Sequence, residues 1–301
     1  MFFLDQINWT SLDSWIVLTG ALIAMACALP GIFLILNRNS MIGDGISHAI
    51  LPGIALAFLL TGSRDWFVIL LGAATAGIIT IALTRLIQNF GQVESGAALG
   101  VVFCSLFALG LILIRVASDH VDLNPDCVLH GSIETAVVDF RKVPLVTTQS
   151  AIMLLVNLAL TLLFYKELRI SAFDPSLAAT LGFHPELMRY CLTTLTSITA
   201  VMAFEAVGSI LVIAMLIVPG ATALLLTHKL HWALLLTLLF AALSGILGHV
   251  LAIWGLPQFF NQLISSIEFS SASTSGMIAT TAGILFMIAL GIVKIRQCLN
   301  L

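Results

Sequence analysis

The chain has 301 residues, 60% of them hydrophobic and only 9% charged, with 12 Lys and Arg against 15 Asp and Glu for a net charge of −3. A soluble domain carries roughly 25% charged residues. This composition therefore excludes a water-facing globular enzyme and a disordered chain, and the missing basic stripe excludes a nucleic-acid binder.

What remains is an all-α, polytopic helical bundle whose solvent is largely lipid. Outer-membrane strands alternate apolar and polar residues, whereas 70–83 and 209–218 are apolar on every face. In chain order, residues 1–14 hold Asp5 and Asp13 but no Lys or Arg, so the apolar run 15–36 reads as a first membrane helix rather than a cleaved leader. At ~20 apolar residues per span, further spans are expected at 44–61, 66–87, 95–116, 147–165, 188–205, 208–227, 232–254 and 276–294. The stretch 188–227 is too long for one helix and is broken at Glu205–Gly208, where a charge and a glycine sit close together. The expectation is about nine transmembrane helices, with eight or ten as alternatives, in a single transmembrane domain over 1–301.

Two connections are too long to be simple linkers. The outer one, 117–146, carries Asp119, Asp122, Asp126, Glu134 and Asp139 with His120 and His130. The inner one, 166–187, reads KELRISAFDPSLAATLGFHPEL. Placing it in the cytoplasm puts Arg38, Arg85, Lys166, Arg169, Arg189, Lys229, Lys294 and Arg296 inside, and leaves Arg64, Arg115, Arg141 and Lys142 outside. That is the asymmetry membranes select, and it places the N-terminus outside. Within the inner loop Asp174 suits an N-cap, Pro175 a first helical position and Gly182 a C-terminal cap. The segment reads either as a docking helix or as an ordinary polar loop.

Ionisable residues inside spans carry the most information, because each is costly in lipid unless paired or facing a cavity. Asp44, His48, Glu205 and His249 qualify. Asp44 and His48 are four apart and share a helical face. Carboxylate plus imidazole suits a divalent transition ion, and equally suits a structural pair between helices. The helix count puts Asp44 near the inner end of its span. Ser47 lies on another face, His249 stands alone on an apolar face, and Glu205 reads as a boundary residue. Adjacent Ser47 and His48 point apart and form no nucleophile–base pair. There is no HExxH motif, and the residues before Lys142, Lys166, Lys229 and Lys294 are not glycine, so a phosphate loop is missing. Cys27, Cys104, Cys127, Cys191 and Cys298 are scattered, as small buried apolar residues are.

The segment NSMIGDGISHAILPG at 39–53 resembles the membrane permeases of ABC-type zinc, manganese and iron importers. VLHGSI at 128–133 is similar to that family's outer-loop FGSI element, with His130 where phenylalanine is usual. FDPSLAATLGF at 173–183 resembles its cytoplasmic FDPELA…LG element, and VGSILVIAMLIVPGATALLLT at 207–227 its VGxLLVxALLIxPAATA helix. The chain departs at 271–276, where SASTSG replaces an outer turn that often reads DLPSG.

The resemblance implies that Asp44 and His48 meet the metal in transit; Ser47, Glu205 and His249 are candidates for a secondary pathway on their own chemistry, and His249 has no counterpart in the family's pattern. The resemblance also implies a coupling helix in which Phe173, Asp174, Pro175, Leu177, Leu181 and Gly182 face a separate cytoplasmic ABC ATPase subunit. It further implies a second permease chain, identical or related, and an extracellular or periplasmic metal-binding protein. The location is then the bacterial inner membrane; zinc, manganese or iron is cargo, no cofactor is permanently bound, and the chain is no enzyme itself. An ion-gradient-driven secondary metal transporter or channel is the alternative, and it leaves the FDP loop without a purpose.

Overall fold

The computed structural model describes residues 9–37, 45, 48–62, 66–118, 133–138, 143–255 and 273–299. The elements are α1 (Ser11–Leu36), α2 (Leu51–Thr61), α3 (Trp66–Gly91), α4 (Ser95–Ser118), the short α5 (Ile133–Ala136), α6 (Leu145–Leu163), α7 (Tyr165–Phe173), α8 (Pro175–Thr180), α9 (Pro185–Val207), α10 (Ser209–Leu226), α11 (Leu230–Val250) and α12 (Thr274–Leu299). A π-helical turn, Leu251–Gly255, extends α11. Eight helices among the described residues are long and apolar enough to cross a membrane. The ninth expected span, 44–61, contributes the shorter apolar helix α2.

Helix α1 is the axis of the bundle. Of its most apolar stretch 78% is buried, against 28–50% in the other seven long helices, which is why it is hydrophobic all round rather than striped. It starts at a reciprocal capping box between Thr10 and Asp13. Around it pack α6, α9, α10 and α11, with α12 against α10 and α11. Helices α2, α3 and α4 form a second group, joined to the first where α3 lies on α9.

Lipid gives no hydrophobic drive between helices, so close backbone approach and interhelical hydrogen bonds hold them. A Cβ on Gly31 would strike the Leu216 carbonyl, and one on Gly248 would sit 2.6 Å from Ile278 Cγ1. Only glycine permits either crossing. Buried polar groups find partners across helices. The Asn157 amide of α6 donates to the Ala26 carbonyl of α1 at 2.8 Å and to Thr199 Oγ1 of α9 at 3.0 Å. Thr19 and Thr147 hydroxyls pair at 2.6 Å.

The expected break at Glu205–Gly208 is present: α9 ends at Val207, and Gly208 takes a left-handed φ of 77° before α10 starts. The expected span 44–61 is different. His48 and Ala49 are helical, Ile50 is a turn, and α2 proper starts only at Leu51 with Pro52 in its first turn. Proline lacks an N–H and clashes with the carbonyl four residues back, so a continuous helix through 48–52 is interrupted there. The inner loop is also more helical than expected, since residues 165–173 form α7.

Candidate functional site

His48 sits at the entrance to α2, half-buried, with its ring against two phenylalanines of α4. The centroid distances are 5.7 Å to Phe103 and 5.4 Å to Phe107, the latter edge-on. Gly45 packs under it, where a Cβ would lie 3.0 Å from Leu99 Cγ, and Leu51 packs above it on Gly110. Helices α2 and α4 therefore run parallel. At 1.5 Å per residue the His48 ring lies about 12–18 Å from the start of α4, close to the middle of a ~30 Å hydrocarbon layer. The 11 residues of α2 then cover only the remaining half of the membrane. Asp44 and Ser47 lie outside the described residues. So does the side chain of Glu205, whose backbone is in the last turns of α9.

His249 does not stand alone. Its Nε2 is 3.5 Å from Asp13 Oδ1 of α1, and its Nδ1 is 3.2 Å from Thr274 Oγ1 of α12. The Thr274 amide donates to Glu134 Oε1 at 2.8 Å, and Thr10 donates its amide and hydroxyl to Asp13 Oδ2, each at 2.7 Å. Trp9 meets the imidazole edge-on at 6.0 Å. This network ties the ends of α1, α11 and α12 to α5. Single-residue periodicity could not reveal it, because Asp13 and His249 are distant in sequence. Among the described residues no three His, Cys, Asp or Glu side chains converge as a metal cage.

At the opposite end, Asn37, Leu168, Ser171, Pro175, Pro185 and Glu186 line one small cavity, which places the ends of α1, α7, α8 and α9 together. Asp174 caps α8: its Oδ1 accepts from the Ser176 hydroxyl at 2.6 Å, the Leu177 amide at 3.0 Å and the Ser176 amide at 3.1 Å. The Ser176 hydroxyl bond and then the Leu177 amide hold its carboxyl below the usual value. Pro175 is the first helical residue. Gly182 follows the helix at φ +84°, while the Gly182 and Phe183 amides bond back to the Ala179 and Ala178 carbonyls. This is the Gly-capped stop that the residues predict. Phe173, Leu177 and Leu181 are 61%, 48% and 56% exposed at spacings of four. Exposed apolar residues on and flanking a short helix outside the spans form a contact surface. Sequence reasoning missed Leu187, also 56% exposed, and Arg85 of α3, which pairs with Glu186 of α9. The arginine was counted only for membrane orientation.

Comparison with known proteins agrees with this layout. The chain is 39% identical over 300 residues to the manganese transport system membrane protein MntD of Bacillus subtilis, covering 97% of this chain and 98% of that one. It is 40% identical over 276 residues to the zinc transport system membrane protein TroD of Treponema pallidum, covering 90% and 71%. Its fold matches the solved structure of PsaBC from Streptococcus pneumoniae in complex with Fab at a TM-score of 0.74 and 29% identity, over 95% of this chain and 93% of that one. The family model described as the ABC 3 transport family matches residues 12–293. The chain is thus a multi-pass protein of the bacterial inner membrane and belongs to the ABC 3 transport family.

Proposed function

We propose that this chain is the permease subunit of an ATP-driven importer of divalent transition metal ions, manganese or zinc, with ATP hydrolysis on a separate cytoplasmic subunit. The observation that carries the reading is His48: an imidazole at mid-membrane depth, at the entrance to a helix that spans only half the bilayer. Interrupted helices and ionisable side chains at that depth belong to transport pathways. A cation released by an extracellular binding protein enters between two permease chains and meets the Asp44 carboxylate and the His48 imidazole. One such pair per chain supplies up to four donors. A closed tetrahedral cage would trap the ion, so a transit site needs exchangeable positions.

The exposed apolar residues Phe173, Leu177 and Leu181, at the end of α7, on capped α8 and just after it, are the surface offered to the ATPase. Closure of the ATPase pair displaces α8 and switches the pathway to the inside. The test is metal uptake by Asp44→Asn and His48→Ala. Both should abolish manganese and zinc uptake while the ATPase subunits still co-purify. Normal uptake by both overturns the assignment. Uptake by this chain alone in liposomes, with no ATPase present, would favour the gradient-driven alternative.

A further inference from the structure

The ATPase-facing segment and His48 belong to different groups of helices, and α3 packs against both α9 and α2. Near the C-terminal end of α3, Arg85 pairs with Glu186 in the first turn of α9. Its guanidinium lies 4.4 Å over the ring of Tyr190, one turn further along α9. Arg85 Nη2 is buried with no hydrogen-bond partner among the described residues. A planar cation pinned between a carboxylate and an aromatic face is the geometry arginine fits and lysine does not.

The connections on either side have little slack. Only residues 181–184 separate α8 from α9, and the amides of Gly182 and Phe183 fold that turn back on α8. Lys166 of α7 reaches over the Phe183 ring, 6.0 Å from its centroid, and secures the same turn. At the far side of α3, Gly72 faces Gly53 of α2 so closely that neither tolerates a Cβ without displacement. A shift of α3 therefore moves the helix that His48 introduces.

We infer that Arg85 is a positioning residue that, through Glu186 and Tyr190, transmits displacement of the α8–α9 turn to α3 and so to the His48 end of α2. The inference rests on the ATP-driven reading above. Contiguity alone does not establish coupling, and a mutant cycle measures it. The experiment uses the permease assembled with its ATPase subunits in proteoliposomes, with Mn²⁺ as the probe. It records uptake, ATP hydrolysis, Mn²⁺ binding and subunit co-purification.

Arg85→Gln and Glu186→Gln should each lower Mn²⁺ transported per ATP by about five- to tenfold, with co-purification and Mn²⁺ binding unchanged. Arg85→Lys should fall between wild type and Arg85→Gln. The swap of Arg85→Glu with Glu186→Arg should recover at least about twofold over the worse single variant, the ring contact remaining lost. Wild-type transport per ATP in both single variants overturns the inference. So does loss of assembly in parallel with uptake, or a swap no better than its worse parent. A His48→Ala control that transports like wild type overturns the importer reading itself, whatever Arg85 does.

Discussion

Gly53→Ala is the sharpest perturbation the packing offers. A methyl group there would lie 2.6 Å from Ala76 Cβ and strike the Gly72 carbonyl of α3, whereas ordinary contact begins at 3.4 Å. The obstacles are a backbone carbonyl and a Cβ, so no rotamer change relieves them. Helices α2 and α3 must part by about 0.8 Å to clear Ala76 Cβ, and by about 1 Å or more to clear the Gly72 carbonyl. Overpacking of this kind costs about 1–3 kcal/mol. Alanine returns about 1 kcal/mol of helix propensity, leaving a net loss of up to about 2 kcal/mol and a Tm lower by a few degrees. His48 is five residues before Gly53, so its ring moves with α2. Sites tolerate about 0.5 Å of displacement, and 1 Å costs on the order of 100-fold in rate. Initial-rate manganese uptake should therefore fall at least about tenfold. Gly283→Ala on α12 is the control, because nothing lies within 4 Å of its Cβ position. Thermal melting in detergent and uptake in cells are the assays. Wild-type values for Gly53→Ala in both would refute the reasoning.

Two further outcomes follow from the capped helix and the outer network. The Asp174 carboxyl is held below its ordinary 3.8 by the Ser176 hydroxyl and the Leu177 amide. A depressed carboxyl stabilises the fold above its unfolded value and loses that contribution only as pH falls through the lower folded value. Co-purification of the ATPase should therefore be insensitive to Asp174 ionisation between pH 5 and 8. Asp174→Asn should retain it and Asp174→Ala weaken it, since asparagine caps as well as aspartate; equal behaviour of the two variants would remove the cap from the account. His249→Leu leaves the Thr274 hydroxyl without its imidazole partner and Asp13 without its facing ring. Leaving buried polar groups unpaired costs about 1–3 kcal/mol, measurable as a lower melting temperature. An unchanged melting temperature would show that the network holds nothing together.

Local chemistry made several features legible in advance. The Asp174-Pro175 start and Gly182 stop of α8 follow from capping rules that need only neighbouring residues, and both are in place. The break before α10 was visible because a charge and a glycine interrupt an otherwise apolar run. The interruption at Ile50 within the expected span 44–61 was not foreseen, because hydropathy counts apolar residues and ignores that Pro52 cannot continue the hydrogen-bond ladder from residue 48. The setting of His249 was missed because Asp13 and Thr274 come from other helices, and no periodic pattern connects them.

By itself the sequence determined the solvent, the span count to within one, and the family. Each follows from quantities additive along the chain: apolar area, run length and motif order. Only the tertiary structure decided that His48 lies at mid-depth between Phe103 and Phe107, that His249 faces Asp13, and that Arg85 joins α3 to the first turn of α9. Those facts depend on which helices cross and at what height. In a bilayer that is set by where glycines let backbones touch and where buried polar groups find partners on other helices.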